Sequence, residues 1–399
     1  MFLPLVGALG RICNLTLHES RNAKTDFSTS MQCGRIEAGI LSSTWFKTVA
    51  VMSVSMKRWV PTLMMISVTV LSVACHDVES NYAANKEDVH FTSGEFEVHG
   101  ELLTPAGDGP HGLVIMVHGD GPAYIRYYSR IKQNFLKVGY ATLIWDKPGF
   151  GKSKGHLSGK TLAEERAQIL LDATSEIKGR SNIDAGDIGV WGISQAGYVI
   201  PRALPSSDDI SFLILVGAAG ENGIRQTAYY IYQQLKCEGV PEDASRLAEQ
   251  RLIGLYHAQT FAEYRDAAKP LVDDPRIRQM GFVTAMWTED QWKAYEGDEE
   301  SFYDPVSAIR NAAIPTLVVF GALDKNVNPL QGVEAFTSAF EIANNNNSRV
   351  KLIDGADHDI IMSETGCAHE RSARTTKGWS NYAPEYLQTM REWLLDRSW

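Results

Sequence analysis

The sequence predicts an α/β protein, with a mostly parallel, doubly wound sheet and a helical cap inserted late in the chain. Three observations carry this reading. From about residue 90, short β-rich runs alternate with longer amphipathic stretches. Several short runs, such as Leu113 to Val117 and Phe212 to Val216, are apolar throughout, as strands covered on both faces must be. The interval 221–305 then breaks the rhythm with helical patterns and many aromatics before a strand pattern resumes at Thr316.

Taken in order, Phe96 to Leu103 reads as one strand of an opening hairpin and Leu113 to Val117 as the first buried strand. A helical stretch follows at 126–138, a strand at Ala141 to Trp145 and a helix at Leu162 to Ile177. Strands recur at Ile188 to Trp191, Phe212 to Val216, Thr316 to Phe320 and Val350 to Ile353, and a closing helix lies near Glu385 to Leu395. The core is therefore expected over 90–220 and 306–399, with 221–305 as the cap. In open parallel sheets ligands bind beyond the carboxyl ends of the strands, so those ends hold the candidate residues.

The bulk properties narrow the function. A chain of 399 residues that is 44% hydrophobic can bury a large core. A net charge of −10, with no run of Lys/Arg interleaved with aromatics, argues against a nucleic-acid partner and for small-molecule chemistry.

The first 80 residues stand apart. Met56-Lys57-Arg58 precedes an apolar run from Trp59 to Ala74, and Ser72-Val73-Ala74-Cys75 offers small residues for cleavage, the layout of a secretory signal over 56–75. An uncleaved anchor is the competing reading. Ser72-x-Ala74 suits ordinary signal peptidase, whereas Cys75 resembles a lipobox cysteine with Leu71 one place early; the second reading tethers the protein to a membrane through a lipidated Cys75. Residues 1–55 are expected to be an extension ahead of a true start at Met56 or Met52. The resulting expectation is an exported protein, periplasmic or anchored as a lipoprotein in a bacterium. An oxidising compartment would permit a Cys237–Cys367 bond, a pairing left open by the sequence.

The chemistry-bearing motif is Gly192-Ile193-Ser194-Gln195-Ala196-Gly197, which follows a strand and opens a helix. A serine on such a tight turn needs small residues two places before and after it; Gly192 meets this and Ala196 adds one methyl. Gly197 permits close packing of helix on strand. Ser194 needs a base, and the base needs an orienting acid. Asp324 follows the strand Val318-Val319-Phe320, and His358 follows Lys351-Leu352-Ile353, giving the order Ser, Asp, His at successive strand ends. Asp354 and Asp357 rank below Asp324 as the acid, and His369 below His358 as the base.

Val117-His118-Gly119-Asp120-Gly121-Pro122 is a further strand end with a glycine-rich turn. Its backbone N–H at Asp120, with Gly121 second, is expected to meet an oxyanion together with the N–H of Gln195. The Asp120 side chain should point away, and His118 should hold the loop. Tyr229 and Trp287, with Gly121, are the expected substrate contacts. Gly151-Lys152-Ser153 looks like the end of a phosphate-binding loop, but Asp146 occupies the place where that loop needs glycine; Asp146, Gly149 and Gly151 fit a structural turn. No His-x-x-x-His or Cys-x-x-Cys spacing suggests a metal, so no cofactor and no metal are expected.

HGDGP, WDKPGFGKS, GISQAG, FGALDKNV and GADH together make residues 90–399 resemble the α/β-hydrolase superfamily. The likeness is to bacterial exported esterases and their prolyl-oligopeptidase-like and dienelactone-hydrolase-like relatives. The resemblance implies the α/β-hydrolase fold, with Ser194 as nucleophile, Asp324 as acid and His358 as base, acting on a small-molecule ester through an acyl-enzyme. Ala196 in the serine turn and Asp120 in the oxyanion loop depart from the family's pattern. A serine peptidase or amidase, and a non-catalytic exported binding lipoprotein, are the alternatives; oligomeric state is not legible.

Overall fold

The computed structural model describes residues 82–159, 161–294, 299–374 and 381–396. The expected extension over 1–55, the signal over 56–75 and Cys75 lie outside the described residues, as does Tyr295 of the cap.

The sheet has eight strands: β1 (Ala84–Ser93), β2 (Phe96–Pro105), β3 (His111–Val117), β4 (Ala141–Trp145), β5 (Ile183–Ile193), β6 (Phe212–Val216), β7 (Thr316–Gly321) and β8 (Arg349–Ile353). Their spatial order is β1-β2-β4-β3-β5-β6-β7-β8. β1 and β2 form an antiparallel hairpin, β2 also pairs antiparallel with β4, and every later pairing is parallel. The expected mostly parallel α/β sheet is therefore what the chain forms.

Composition explains the layers. Along β3, Leu113, Ile115 and Val117 face one side while Val114 and Met116 face the other. The first side is covered by α2 (Leu162–Lys178), α3 (Ala196–Ala203) and α11 (Pro329–Ile342), through residues such as Leu170, Ile200 and Phe336. The second is covered by α1 (Ser129–Leu136) and α13 (Pro384–Leu395), through Phe135, Met390 and Trp393. Residues alternate between the two cores with the period of two that a strand imposes.

Between β6 and β7 come α4 (Gly223–Cys237), α5 (Glu242–His257), α6 (Phe261–Asp273), α7 (Pro275–Met280), α8 (Glu289–Lys293), α9 (Glu299–Phe302) and α10 (Pro305–Ala312). The helices α4 to α7 share a separate apolar core with Ile231, Leu252 and Tyr264 at its centre. Asn222 caps α4 by accepting from the Arg225 N–H at 3.1 Å. A short α12 (Ala368–Ser372) precedes the closing helix.

The register positions the loops that matter. β3 and β5 are neighbours with Val117 opposite Gly192, so the turn after β3 lies beside the turn after β5. Ile193 pairs with Val216, Val216 with Val319, and Gly321 with Ile353, which brings the carboxyl ends of β5, β6, β7 and β8 to one rim. A disulfide between Cys237, the last residue of α4, and Cys367 bridges 130 residues of chain and joins the cap to the segment that follows β8.

Cross-links over long loops stabilise mainly by restricting the unfolded chain. Replacing both Cys237 and Cys367 by Ser should lower the unfolding free energy by about 2–5 kcal/mol. Urea denaturation of the double variant beside the oxidised protein measures this.

Candidate active site

Ser194 sits immediately after β5 with φ 56°, a left-handed conformation that L-residues with side chains seldom adopt. Its N–H donates to the Val216 carbonyl at 2.8 Å, and its carbonyl accepts from the Gly197 N–H at 2.8 Å, which fixes the turn from both sides. A Cβ on Gly192 would stand 2.7 Å from the Ala196 Cβ and 2.4 Å from Ile200 Cδ1. The methyl at Ala196 is therefore accommodated only because residue 192 has none. A Cβ on Gly197 would meet the Ala218 Cβ at 2.7 Å, so α3 can lie close on the end of β6 only with glycine there.

His358 and Asp324 form a buried pair, with His358 Nδ1 2.7 Å from Asp324 Oδ2; they are 3% and 1% exposed. The other carboxylate oxygen of Asp324 accepts from the Asn326 and Val327 N–H groups at 2.7 and 2.9 Å, which holds the carboxylate plane toward the imidazole. The ring lies against Gly217, the residue after β6, where a Cβ would come within 3.1 Å of His358 Cε1 and Nδ1. Gly217 follows Val216, whose carbonyl receives the Ser194 N–H, so ring and serine approach the same strand end. Among the described residues no hydrogen bond joins the Ser194 hydroxyl to His358; such bonds often tighten only around substrate.

The other candidates for these roles lie elsewhere. Asp354 and His369 are exposed. Asp357 is buried, pairs with Arg374, and accepts from the Asp359 and Ile361 N–H groups at 3.0 and 3.3 Å, which shapes the turn carrying His358. Ile360 in that turn has φ 56°, an unfavourable conformation for a β-branched residue.

The turn after β3 approaches the serine closely, since a Cβ on Gly119 would be 3.3 Å from the Ser194 Cβ. Two buried cations hold this turn. Lys147 Nζ donates to the carbonyls of Gly119 and Gly121, both at 2.8 Å. Arg166 on α2 donates to the His118 carbonyl and, at 2.5 Å, to the Gln195 side-chain oxygen. With its carbonyl oxygens at 118, 119 and 121 bonded to these two side chains, the loop is pinned beside Ser194. Asp120 and Gln195 line one cavity with Ser194, and Gly121 takes φ 75°. His118 is buried with its ring 5.8 Å from that of Tyr128, and burial pushes its imidazole down to about 3, so it is neutral. Burial and the neighbouring Arg166 push the Lys147 ammonium down to about 7, with Asp120 opposing.

The cavity is about 510 Å³. Tyr230, Tyr256, Met280 and Phe282 bound it from the cap, and Tyr198 and Val327 from the core side. Two expected substrate contacts do other things. Tyr229 donates its hydroxyl to the Asp324 carbonyl at 3.0 Å and so braces the acid's loop. Trp287 stacks on Tyr264 with ring centres 5.6 Å apart and belongs to the cap's own core, because its flat face finds a buried partner there. The residue next to Tyr229, Tyr230, reaches the cavity instead, as a one-residue step on a helix turns the side chain by about 100°.

Asp146 accepts from the Ile125 and Lys152 N–H groups at 2.9 and 2.8 Å, and Gly149 and Gly151 have φ 84° and 56°; this segment is a folded turn that delivers Lys147 to the 118–121 loop. Among the described residues one group of potential metal ligands is present, Asp88, His90 and His99 on the β1–β2 hairpin.

Residues 108–365, more than half of the chain, match the family described as serine aminopeptidase, S33. The chain belongs to this family. Among curated proteins, this family member is 24% identical to a 2-hydroxy-6-oxononadienedioate/2-hydroxy-6-oxononatrienedioate hydrolase of Cupriavidus pinatubonensis, over 58% of this chain and 76% of the relative. It is 22% identical to the thiohydrolase aneE of Aspergillus aculeatus, over 51% of this chain and 61% of that one. Of solved structures, the Pyrococcus furiosus esterase Pf2001 aligns with a TM-score of 0.47 at 18% identity, covering 78% of this chain and 92% of the esterase. This S33-family chain is thus a hydrolase of the α/β-hydrolase fold.

Lys147 releases its proton near pH 7 in the folded protein, whereas an unfolded lysine does so near 10.5. Between these values the unfolded chain binds more protons, so the unfolding free energy should rise with pH from 7 to 10.5. Urea midpoints taken across that window should climb for the wild type, and the Lys147→Met variant should lose this part of the slope.

Proposed function

We propose that this hydrolase cleaves carboxylic esters of small, uncharged molecules through an acyl-enzyme. In this reading Ser194 attacks the carbonyl, His358 takes the hydroxyl proton and returns it to the leaving alcohol, and Asp324 orients and balances the imidazolium. The N–H groups of Asp120 and Gln195 receive the oxyanion, and Lys147 and Arg166 keep those donors aimed and add positive potential. The observation that carries the proposal is the left-handed Ser194 turn set between the clamped 118–121 loop and the Gly217 seat of the buried His358–Asp324 pair.

The cavity supports the choice of substrate. Its lining is aromatic and mixed-polar, and among the described residues that line it Asp120 is the charged one. Among the described residues no Lys or Arg lines the cavity to receive an anionic group, which argues against a dicarboxylate such as the one named for the Cupriavidus relative. Asp120 favours a second reading, in which the substrate is an amide bearing a free ammonium, as the family's aminopeptidase description suggests.

The wild-type protein should hydrolyse p-nitrophenyl butyrate, turn over an aminoacyl p-nitroanilide and a dicarboxylate monoester more slowly, and react with a fluorophosphonate at Ser194. Ser194→Ala should lose at least about 10³-fold in kcat while remaining folded. Retained ester turnover in that variant would refute the nucleophile, faster anilide cleavage would favour the second reading, and failure to label would make the protein a binder.

We further propose export with cleavage ahead of Cys75. The Cys237–Cys367 bond supports an oxidising compartment, in keeping with the signal-like segment 56–75. Intact mass of the mature protein from a bacterial expression host should show a start at Cys75, with added diacylglycerol and acyl mass if it is lipidated; a chain retaining Met56 would oppose this.

A further inference from the structure

The β1–β2 hairpin carries a group of side chains that the reaction above does not use. Pairing places His90 opposite His99, and Asp88 is two residues before His90, so all three project from one face of the hairpin. One ligand atom from each lies within 4.8 Å of the others, and the two imidazole rings are 4.7 Å apart. The opposite face turns Val89 and Val98 into the core, so the polar face is set by burial behind it.

His99 is the fixed member. It is 5% exposed, its N–H donates to Ser153 Oγ at 2.9 Å and its carbonyl accepts from the Asp146 N–H at 2.9 Å. Carboxylates flank both ring nitrogens: Asp146 Oδ2 is 3.6 Å from Nδ1, and Asp88 Oδ2 is 3.4 Å from Nε2. The buried Nδ1 has no hydrogen-bond partner. His99 Nε2 and Asp88 Oδ2 are hydrogen-bond partners here at 3.4 Å; a neutral His99 carrying its one proton on Nδ1, on the Asp146 side, would instead offer the Nε2 lone pair to a cation together with the Asp88 carboxylate and the neighbouring His90. The Nε2 to Oδ2 separation of 3.4 Å is also about that between two ligands at roughly 2.0–2.1 Å from one tetrahedral ion.

We propose that Asp88, His90 and His99 bind one divalent transition-metal ion of the zinc class, with water completing the coordination and Asp146 supporting His99 from behind. Two imidazoles and a carboxylate suit such an ion better than calcium or magnesium, which prefer oxygen ligands. A carboxylate behind a ligating histidine fixes its tautomer and orientation. Lys152 Nζ, now 3.8 Å from Asp88 Oδ2, is on a largely exposed side chain and can move aside. The site joins the hairpin to the Asp146 turn and is a structural site in this proposal.

The test uses the full chain, stripped with chelator and titrated with zinc chloride by calorimetry, and separately with cobalt chloride while recording visible absorption. The wild type should bind one equivalent, show the intense visible bands of four-coordinate cobalt and melt at higher temperature with zinc. His90→Ala and Asp88→Asn, both at exposed positions, should each weaken binding tenfold or more and abolish the cobalt bands, while His257→Ala on the cap should change neither. Absence of saturable one-to-one binding, or binding that survives both substitutions, would overturn the proposal and leave the His99–Asp88 contact as a hydrogen bond within the hairpin.

Discussion

The architecture at the rim depends on a steric constraint at the end of β5. Ser194 can hold a left-handed conformation because the backbone on either side is stripped of bulk and anchored to β6. Such a conformation costs on the order of 1–3 kcal/mol and persists only where its surroundings over-determine it. Here the anchoring comes from the Val216 carbonyl, the start of α3 and the close approach of Gly119. Everything else that matters follows from strand neighbours: β3 brings the 118–121 loop, β6 the glycine under the imidazole, and β7 and β8 the carboxylate and the ring.

A second layer of organisation is electrostatic. Lys147 and Arg166 are both 5% exposed, and burying two like charges near each other is costly unless each is well bonded. Their partners include carbonyl oxygens of the loop beside Ser194 and the Gln195 side chain. Positive charge held close to Ser194 is the kind of environment that favours a developing oxyanion. The carboxylate of Asp120 lies on the cavity side of the same loop, so the field there is a balance of opposing signs and not a uniform one.

Much of this was legible in the sequence, and the parts that were not have physical reasons. Apolar runs, unbroken in β6 and interrupted only by the buried Thr142 in β4, marked these strands at their observed bounds, since strands buried on both faces have no exposed polar residue to blur their ends. β5 extends from Ile183 although the sequence reading begins at Ile188, because Asp184-Ala185-Gly186 is exposed at the strand's outer end and, with Asp187, breaks the apolar run. α11 went unread; Gly332 inside it looks like a breaker, yet it is there because a Cβ would meet Phe320 Cζ at 2.4 Å. Ser194, Asp324 and His358 stood out because each follows a strand. Arg166 gave no such signal, being one arginine on an amphipathic helix, and Lys147 was hidden inside a turn whose glycines drew the reading. The cap aromatics divided unpredictably because neighbouring tyrosines on α4 face different ways. The histidines of the hairpin are nine residues apart in the chain and meet only through cross-strand register, which no local spacing rule detects.

The covalent bond between Cys237 and Cys367 fixes the carboxyl end of α4 to the segment beyond His358. The amino end of the same helix begins only a few residues after β6, so α4 is held at both ends like a beam. Tyr230, near its middle, is therefore a stationary wall of the cavity. The half-exposed Phe282 rests edge-on against that wall, so the cavity's outer width on this side is set where a ring facing solvent meets one braced from both ends of its helix.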